Sequence, residues 1–206
     1  MYGLSRLTSG LSDRRGSGNI PDLEAVDANG GESQMVALGL LVLRVVVGLI
    51  LAAHGFQKLF GWWGGTGMQG WVGAMQRMRL RPAVPWAWIS TLSEVVGGLG
   101  LVVGLLTPLP SLAIAGSMLV AIALVHWPKG FWSTKGGYEF NLSILAAVAA
   151  IAIAGPGAYS LDAALRIQLP EPVTLIVGTV LLLVGVGVAL GTRGPAVATE
   201  TKPQTT

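Results

Sequence analysis

The sequence predicts an all-α, polytopic membrane protein, and three observations indicate this fold class. Apolar residues make up 52% of the 206 residues and charged residues only 11%, whereas a soluble domain carries about 25% charged residues. Of the 23 Asp, Glu, Lys and Arg residues, eight lie in residues 1–35 and three lie after Leu190. The stretch between them holds five apolar segments that reach or approach the length of a membrane-spanning helix.

The five predicted spans are joined by short connections. In the second span, Gly100-x-x-x-Gly104 is a motif for the close approach of two helices. A Thr-Pro-Leu-Pro turn at 107–110 makes the third span antiparallel to the second. The fourth span is short and rich in alanine, and the fifth has no charged residue and fits a packing or anchoring helix. In chain order the predicted spans are 36–60, 86–106, 109–127, 139–154 and 172–190.

Three further segments lie outside these spans. Residues 1–35 are polar and lack the apolar core of a signal peptide, so we expect a disordered tail. Residues 191–206 form a second polar tail. In the connection 61–85, apolar residues recur every three or four positions among Gln and Arg, beside two adjacent Trp residues. This pattern predicts a helix in the headgroup layer, and a re-entrant segment is the alternative.

The distribution of basic residues predicts the orientation in a cell inner (plasma) membrane. Cytoplasmic loops carry the excess of Lys and Arg. The loops after spans one and three and the C-terminal tail hold most of these residues near the spans, namely Arg77, Arg79, Arg81, Lys129, Lys135 and Arg193, whereas the other side has Arg166. We therefore expect the N-terminus outside and the C-terminus in the cytoplasm, with membrane lipids rather than nucleic acid as the partners of the basic residues.

Two ionisable residues lie deep in the predicted spans. Arg44 and Glu94 are each eight residues from their helix end, about 12 Å deep at 1.5 Å per residue. Such side chains are costly in a bilayer and are therefore candidates for function. A structural ion pair between them is the alternative. Depth argues against that pair, because the two spans enter from opposite sides and Glu94 lies level with His54 instead.

Helical phase and depth predict that further polar residues gather at the cytoplasmic end. Arg44, His54 and Lys58 fall within about 80° of one another at 100° per residue. Lys58 is close enough to its helix end to extend to water instead. The candidates are Glu94 and His54 as catalytic residues, and Arg44, Lys58, Trp62, His126, Glu139 and Asn141 as ligand-binding residues.

The chemistry of this group favours a quinone-like ligand. A small aromatic headgroup can arrive from the bilayer, accept hydrogen bonds from His or Lys and stack on Trp. Glu94 can then carry protons for coupled electron and proton transfer. The two His and two carboxylates lack spaced ligand motifs such as Glu-x-x-His, so no metal site is predicted. The chain has no cysteine, so no thiolate-held cluster is possible, and no intrinsic cofactor is predicted.

The sequence resembles the DoxX family of small bacterial membrane proteins over residues 36–165. The matching residues are Leu43-Arg44, Gly48, His54-Gly55 and Lys58-Leu59-Phe60-Gly61, then Glu94, Gly97-Gly98, Gly104-Leu105 and Thr107, then His126, Gly136-Gly137-Tyr138-Glu139-Phe140-Asn141 and the run from Gly155-Pro156-Gly157 to Asp162. The resemblance implies a polytopic membrane four-helix bundle. Here the long N-terminal tail and a fifth C-terminal transmembrane helix, within 166–190, are added to it.

Three functions remain open. DoxX proteins are similar to the small subunit of archaeal thiosulfate:quinone oxidoreductases, which implies a quinone-linked subunit of a membrane redox system with protein partners. The second function is a non-enzymatic scaffold that recruits oxidative-stress or sulfur-metabolism enzymes. The third is a small-molecule or ion carrier that uses the polar residues as its gate.

Overall fold

The structure is a computed structural model that describes residues 23–194. The described residues before Gln34, 23–33, are helical and belong to a unit of their own. The second unit begins at Gln34 and contains the rest of the fold. The helices are α1 (Leu23–Phe60), α2 (Gly67–Arg77), α3 (Ala83–Val103), α4 (Pro108–Ala121), α5 (Glu139–Ala154), α6 (Leu161–Leu165) and α7 (Val173–Gly191).

The all-α membrane fold is confirmed. Four helices are long and apolar enough to cross a bilayer, namely Ser33–Phe60, Ala83–Val103, Pro108–Lys129 and Val173–Gly191, and the shorter α5 is also apolar. Many large apolar side chains on them are exposed, as expected for helices that contact lipid. The predicted spans coincide with α1, α3, α4, α5 and α7 to within a few residues at most ends.

The largest difference is at the start of α1. The sequence predicts a disordered tail to residue 35, whereas helical backbone begins at Leu23. Extending an existing helix costs less than nucleating a new one, so a stable span propagates into adjacent polar residues. The rest of that tail, 1–22, and the C-terminal tail from residue 195 lie outside the described residues.

Helices α1 and α3 touch through glycines. A Cβ atom at Gly48 would lie 2.5 Å from the Gly98 carbonyl oxygen, and one at Gly98 would lie 2.6 Å from the Ala52 nitrogen. Only hydrogen fits at these two positions. The result is a close backbone crossing that brings the last two turns of α1 beside the middle of α3.

The main core lies among α1, α3, α4 and α5. Its buried members interlock across all four helices: Val47, Leu51, Leu101, Ile114, Met118, Ile144, Val148 and Ile151. Helix α4 continues past Ala121 into a π-helical turn, Ile122–His126. Helix α7 packs on α4 outside this core, and most of its side chains face outward.

Helix α2, in the connection 61–85, covers one end of the bundle. A second buried cluster joins Met75 and Leu80 to Ala87 on α3 and Ala189 on α7. The residues that follow α7 contact the same region, because Leu80 and Arg193 form an antiparallel bridge. The ends of α2 and α7 and the beginning of α3 therefore meet at one end of the molecule.

Candidate functional site

A cavity of about 620 Å³ lies against α2 and is lined mainly by α3, α4 and α7. Its size is within the range of sites for small molecules and cofactors. Most of its lining is apolar. The polar side chains that line it are Lys58, Ser90, Ser93, Glu94 and Ser117, together with the indoles of Trp71 and Trp86.

An ion pair forms the polar wall of this cavity. The Lys58 Nζ atom donates to the Glu94 Oε1 atom at 2.5 Å, and the Ser117 hydroxyl donates to the same oxygen at 3.1 Å. The Glu94 side chain is 3% exposed and that of Lys58 is 18% exposed. Lys58 therefore neutralises the carboxylate instead of extending freely to water.

Helix α2 holds the lysine from the other side. The Lys58 ammonium lies 4.3 Å from the centroid of the Trp71 ring, within the range of a cation–π contact. The Trp71 indole N–H donates to the Ser90 hydroxyl at 2.8 Å, and that hydroxyl donates to the Ala87 carbonyl at 3.2 Å. This series of hydrogen bonds holds the amphipathic helix α2 against the first turns of α3.

Two buried polar atoms in the cavity lining have no protein partner. They are the Oε2 atom of Glu94 and the indole Nε1 atom of Trp86. A buried polar atom left unsatisfied costs about 1–3 kcal/mol. An acceptor and a donor therefore remain available to a ligand, two helical turns apart on α3, about 12 Å along its axis.

Arg44 lies at the opposite end of the bundle, so the predicted alternative of an Arg44–Glu94 ion pair is wrong. Its side chain is fully buried, and its Nη2 atom donates to the Tyr159 carbonyl at 2.6 Å. The glycine at 104 has a φ of 68° and leaves room for the guanidinium, which a Cβ atom there would overlap. Asp162 supplies the nearby negative charge.

Asp162 fastens that end of the bundle. Its carboxylate accepts hydrogen bonds from the backbone N–H groups of Leu106 and Thr107 at 2.7 and 3.0 Å, and from the Thr107 hydroxyl at 2.9 Å. Arg44 and Asp162 thus tie α1, the α3–α4 turn and the α6 region together. Their arrangement is that of a structural clamp.

His54 is level with Glu94, as predicted, but does not join it. Gly55 is the residue that faces α3, since a Cβ atom there would lie 2.8 Å from the Val95 nitrogen. His54 is exposed, its Nδ1 atom donates to the Ile50 carbonyl at 2.9 Å, and its ring stacks on Phe140. One residue turns a helix by 100°, so His54 points away from the site that its depth suggests.

The remaining predicted ligand-binding residues also lie outside the cavity lining. His126 donates to the Gly136 carbonyl at 2.7 Å and closes the loop before α5. Glu139 accepts two bonds from Ser133 at the start of α5. Asn141 is buried against Met118 between α4 and α5, and Trp62 belongs to an exposed aromatic cluster. The predicted convergence of all these groups on one site is therefore wrong, and Lys58 and Glu94 are the pair that meets.

Sequence reasoning missed the serines and α7. Ser90, Ser93 and Glu94 are spaced three and four apart, which places them along one face of α3. That spacing could have identified the polar wall. Helix α7 gives no such signal, because its apolar residues are distributed around the whole helix. Within residues 23–194, no group of three or more His, Asp or Glu side chains is arranged to hold a metal ion.

Comparison with known proteins places these residues in a family context. The family model for DoxX matches residues 39–127, which include Lys58, Glu94 and Ser117. The inner membrane protein YqjF of Escherichia coli (strain K12) is 32% identical over 129 residues, covering 61% of this chain and 90% of that protein. No solved structure gives a significant match. Helix α7 lies beyond the residues that the family model matches.

Proposed function

The chain belongs to the DoxX family of integral membrane proteins, and we propose that it binds a quinone or a similar small electron carrier in the cavity against α2. One observation supports this most strongly. A buried carboxylate with an unpartnered oxygen faces an otherwise apolar cavity of about 620 Å³. Such a site suits a molecule that is mostly apolar and carries a few polar oxygens.

The polar wall matches the hydrogen-bonding groups of a quinone ring. A quinone carbonyl accepts hydrogen bonds, which the Lys58 ammonium and the Trp86 indole N–H can donate. A hydroquinone hydroxyl donates one, which the free Oε2 atom of Glu94 can accept. The same few side chains therefore bind both redox forms.

Glu94 is the proposed proton carrier. Reduction of a quinone takes two electrons and two protons, and the electrons come from a protein partner or a diffusible donor. Glu94 takes up a proton at Oε2 and passes it to the quinone oxygen. Lys58 lies in the last turn of α1 and donates to this carboxylate, so it links the buried proton site to the end of the bundle.

The proposed setting is a bacterial inner membrane, as for the E. coli relative. The end of the bundle that carries α2 also carries most of the basic residues near the spans, so we place that end in the cytoplasm. The N-terminus is then outside. Protons reach Glu94 from the cytoplasmic side through Lys58.

Quinone titration in lipid nanodiscs tests this function. The hydroquinone form of a ring with a short tail, kept reduced under argon, is added to the wild type, to Glu94→Gln and to the control Glu139→Gln, and tryptophan fluorescence quenching is followed, with empty nanodiscs as the blank. We expect saturable binding by the wild type and the control. Glu94→Gln should bind at least tenfold more weakly, because a hydrogen bond to a charged group contributes about 1.5–3 kcal/mol.

Two results would contradict the proposal. One is unchanged affinity in Glu94→Gln. The other is the absence of saturable binding in the folded wild type. If the protein then still retained soluble enzymes from membrane extracts, and Glu94→Gln retained the same ones, the scaffold function would replace the quinone site.

A further inference from the structure

The cavity has two chemically different halves, and Glu94 marks their boundary. Below it, toward α2, lie Trp71, Trp86 and Ser90. Above it, no α3 residue lines the cavity. The upper half, here called the upper groove, is lined by α4 and α7 alone, through Leu109, Leu112, Ala113, Gly116, Gly178, Leu181 and Leu182.

We propose that the upper groove holds the single apolar tail of a quinone whose ring occupies the lower half. This inference rests on the proposed function and adds the class of substrate, a tailed quinone. On α4, Leu109 lies eight residues above Ser117, so the groove extends about 12 Å beyond the Glu94 level. That length exceeds what a ring needs, and its walls offer no polar side chain.

The position of the opening fits a ligand that enters from the bilayer. Ile89 on α3 and Leu181 on α7 both line the cavity, yet they are 53% and 65% exposed. Leu109 on α4 is also exposed. The cavity lining therefore reaches the exposed, apolar outer surface of the bundle, and a tail can enter sideways without leaving apolar surroundings.

The selectivity of the upper groove is steric. Lipid tails are as apolar as the leucines of this wall, so no hydrophobic gain draws a tail out of the bilayer. The upper groove instead accommodates the tail of a quinone whose ring has reached Lys58 and Glu94. Filling it should therefore exclude tailed quinones and leave tail-free rings unaffected.

Substitution of Ala113 tests this assignment. Ala113 lines the upper groove from α4 and is exposed, so Ala113→Phe places a ring in the tail's path. The matched control is Ala146→Phe, at an exposed alanine of α5 outside the cavity. A tail-free quinone and one with a long isoprenoid tail are titrated into each variant in nanodiscs. We expect Ala113→Phe to lower the affinity for the long-tailed quinone at least tenfold and the affinity for the tail-free quinone less than twofold.

The other outcomes overturn the inference in distinguishable ways. An equal loss of affinity for both quinones in Ala113→Phe would place the ring in the upper groove. Unchanged binding of both would place the tail elsewhere. In either case the quinone site itself would stand. Failure of both quinones to bind the wild type would remove the proposed function together with the tail site.

Discussion

At the scale of single residues, the two charged side chains buried deep in the bundle are stabilised by different partners. Glu94 is neutralised by a direct ion pair with Lys58, whereas Arg44 donates through Nη2 to a backbone carbonyl, has no partner at Nε and Nη1, and has the negative charge of Asp162 nearby without a direct ion pair. The two arrangements lie at different levels of α1. An isolated charge at such depth is expensive, so a partner is required in each case. Glu94 lines the cavity and is therefore a candidate site residue, whereas Arg44 does not line it and belongs to the structural clamp.

The identity of the costly residues could be predicted from the sequence, but their partners could not. Hydropathy alone singles out Arg44 and Glu94. Pairing depends on which face of α1 meets α3, and that is decided by Gly48 and Gly55 rather than by the charges. His54 and Lys58 lie only about 40° apart on a helical wheel at 100° per residue, yet His54 is exposed while the longer Lys58 side chain reaches the cavity.

The Arg44 clamp predicts a specific stability pattern. Asp162→Asn removes a negative charge near a fully buried guanidinium and weakens the hydrogen bonds from Leu106 and Thr107, so we expect it to destabilise the protein by about 1–3 kcal/mol. Adding Arg44→Met removes the uncompensated charge, so the double variant should be more stable than Asp162→Asn alone. Thermal unfolding in detergent micelles measures the pattern. A double variant that is less stable than both single variants would show that the two residues act independently.

At the scale of whole elements, hydropathy predicts where helices run because a span must bury its backbone polar groups. Hydropathy does not predict the rotation of each helix about its own axis or the geometry of its last turn. The π-helical turn at Ile122–His126 changes the phase at the end of α4, and so removes His126 from the position that a regular helix would give it. Helix α7 is uniformly apolar, so nothing in its sequence indicates that one face lines a cavity.

The α1–α3 crossing yields a prediction for helix packing. Gly98→Val places a branched side chain where a Cβ atom would already lie 2.6 Å from the Ala52 nitrogen. We expect a loss of about 1–3 kcal/mol, typical of overpacking. Gly187→Val is the control, because open space surrounds Gly187 on α7. Equal unfolding temperatures for the two variants in the same detergent would refute the close crossing.

At the scale of the whole molecule, charge is distributed unevenly between the two ends of the bundle. The structure brings the loop after α2, the loop before α5 and the end of α7 to the same end of the bundle, the end that we propose to be cytoplasmic. The pairing of Leu80 with Arg193 joins two of these segments directly. The spans alternate in direction, so a single orientation of the chain accounts for this asymmetry.

Cysteine labelling checks that orientation, because the chain has no cysteine of its own. Thr134→Cys lies in the loop before α5, and Gln168→Cys lies in the loop before α7; both positions are exposed. In intact spheroplasts, a membrane-impermeant maleimide should label Gln168→Cys, and it should label Thr134→Cys only after permeabilisation. The reverse pattern would invert the orientation and place the Lys58 end outside.

The most direct test of the central claim is to locate a bound quinone on the protein. An azidoquinone is cross-linked by ultraviolet light to the wild type in nanodiscs, with and without excess unlabelled quinone, and the modified peptides are mapped. Competed labels on the peptides that contain Trp71, on the Trp86–Glu94 stretch or around Ser117 are predicted. Competed labels confined to His54, Phe140 or the loop before α5 would contradict the account.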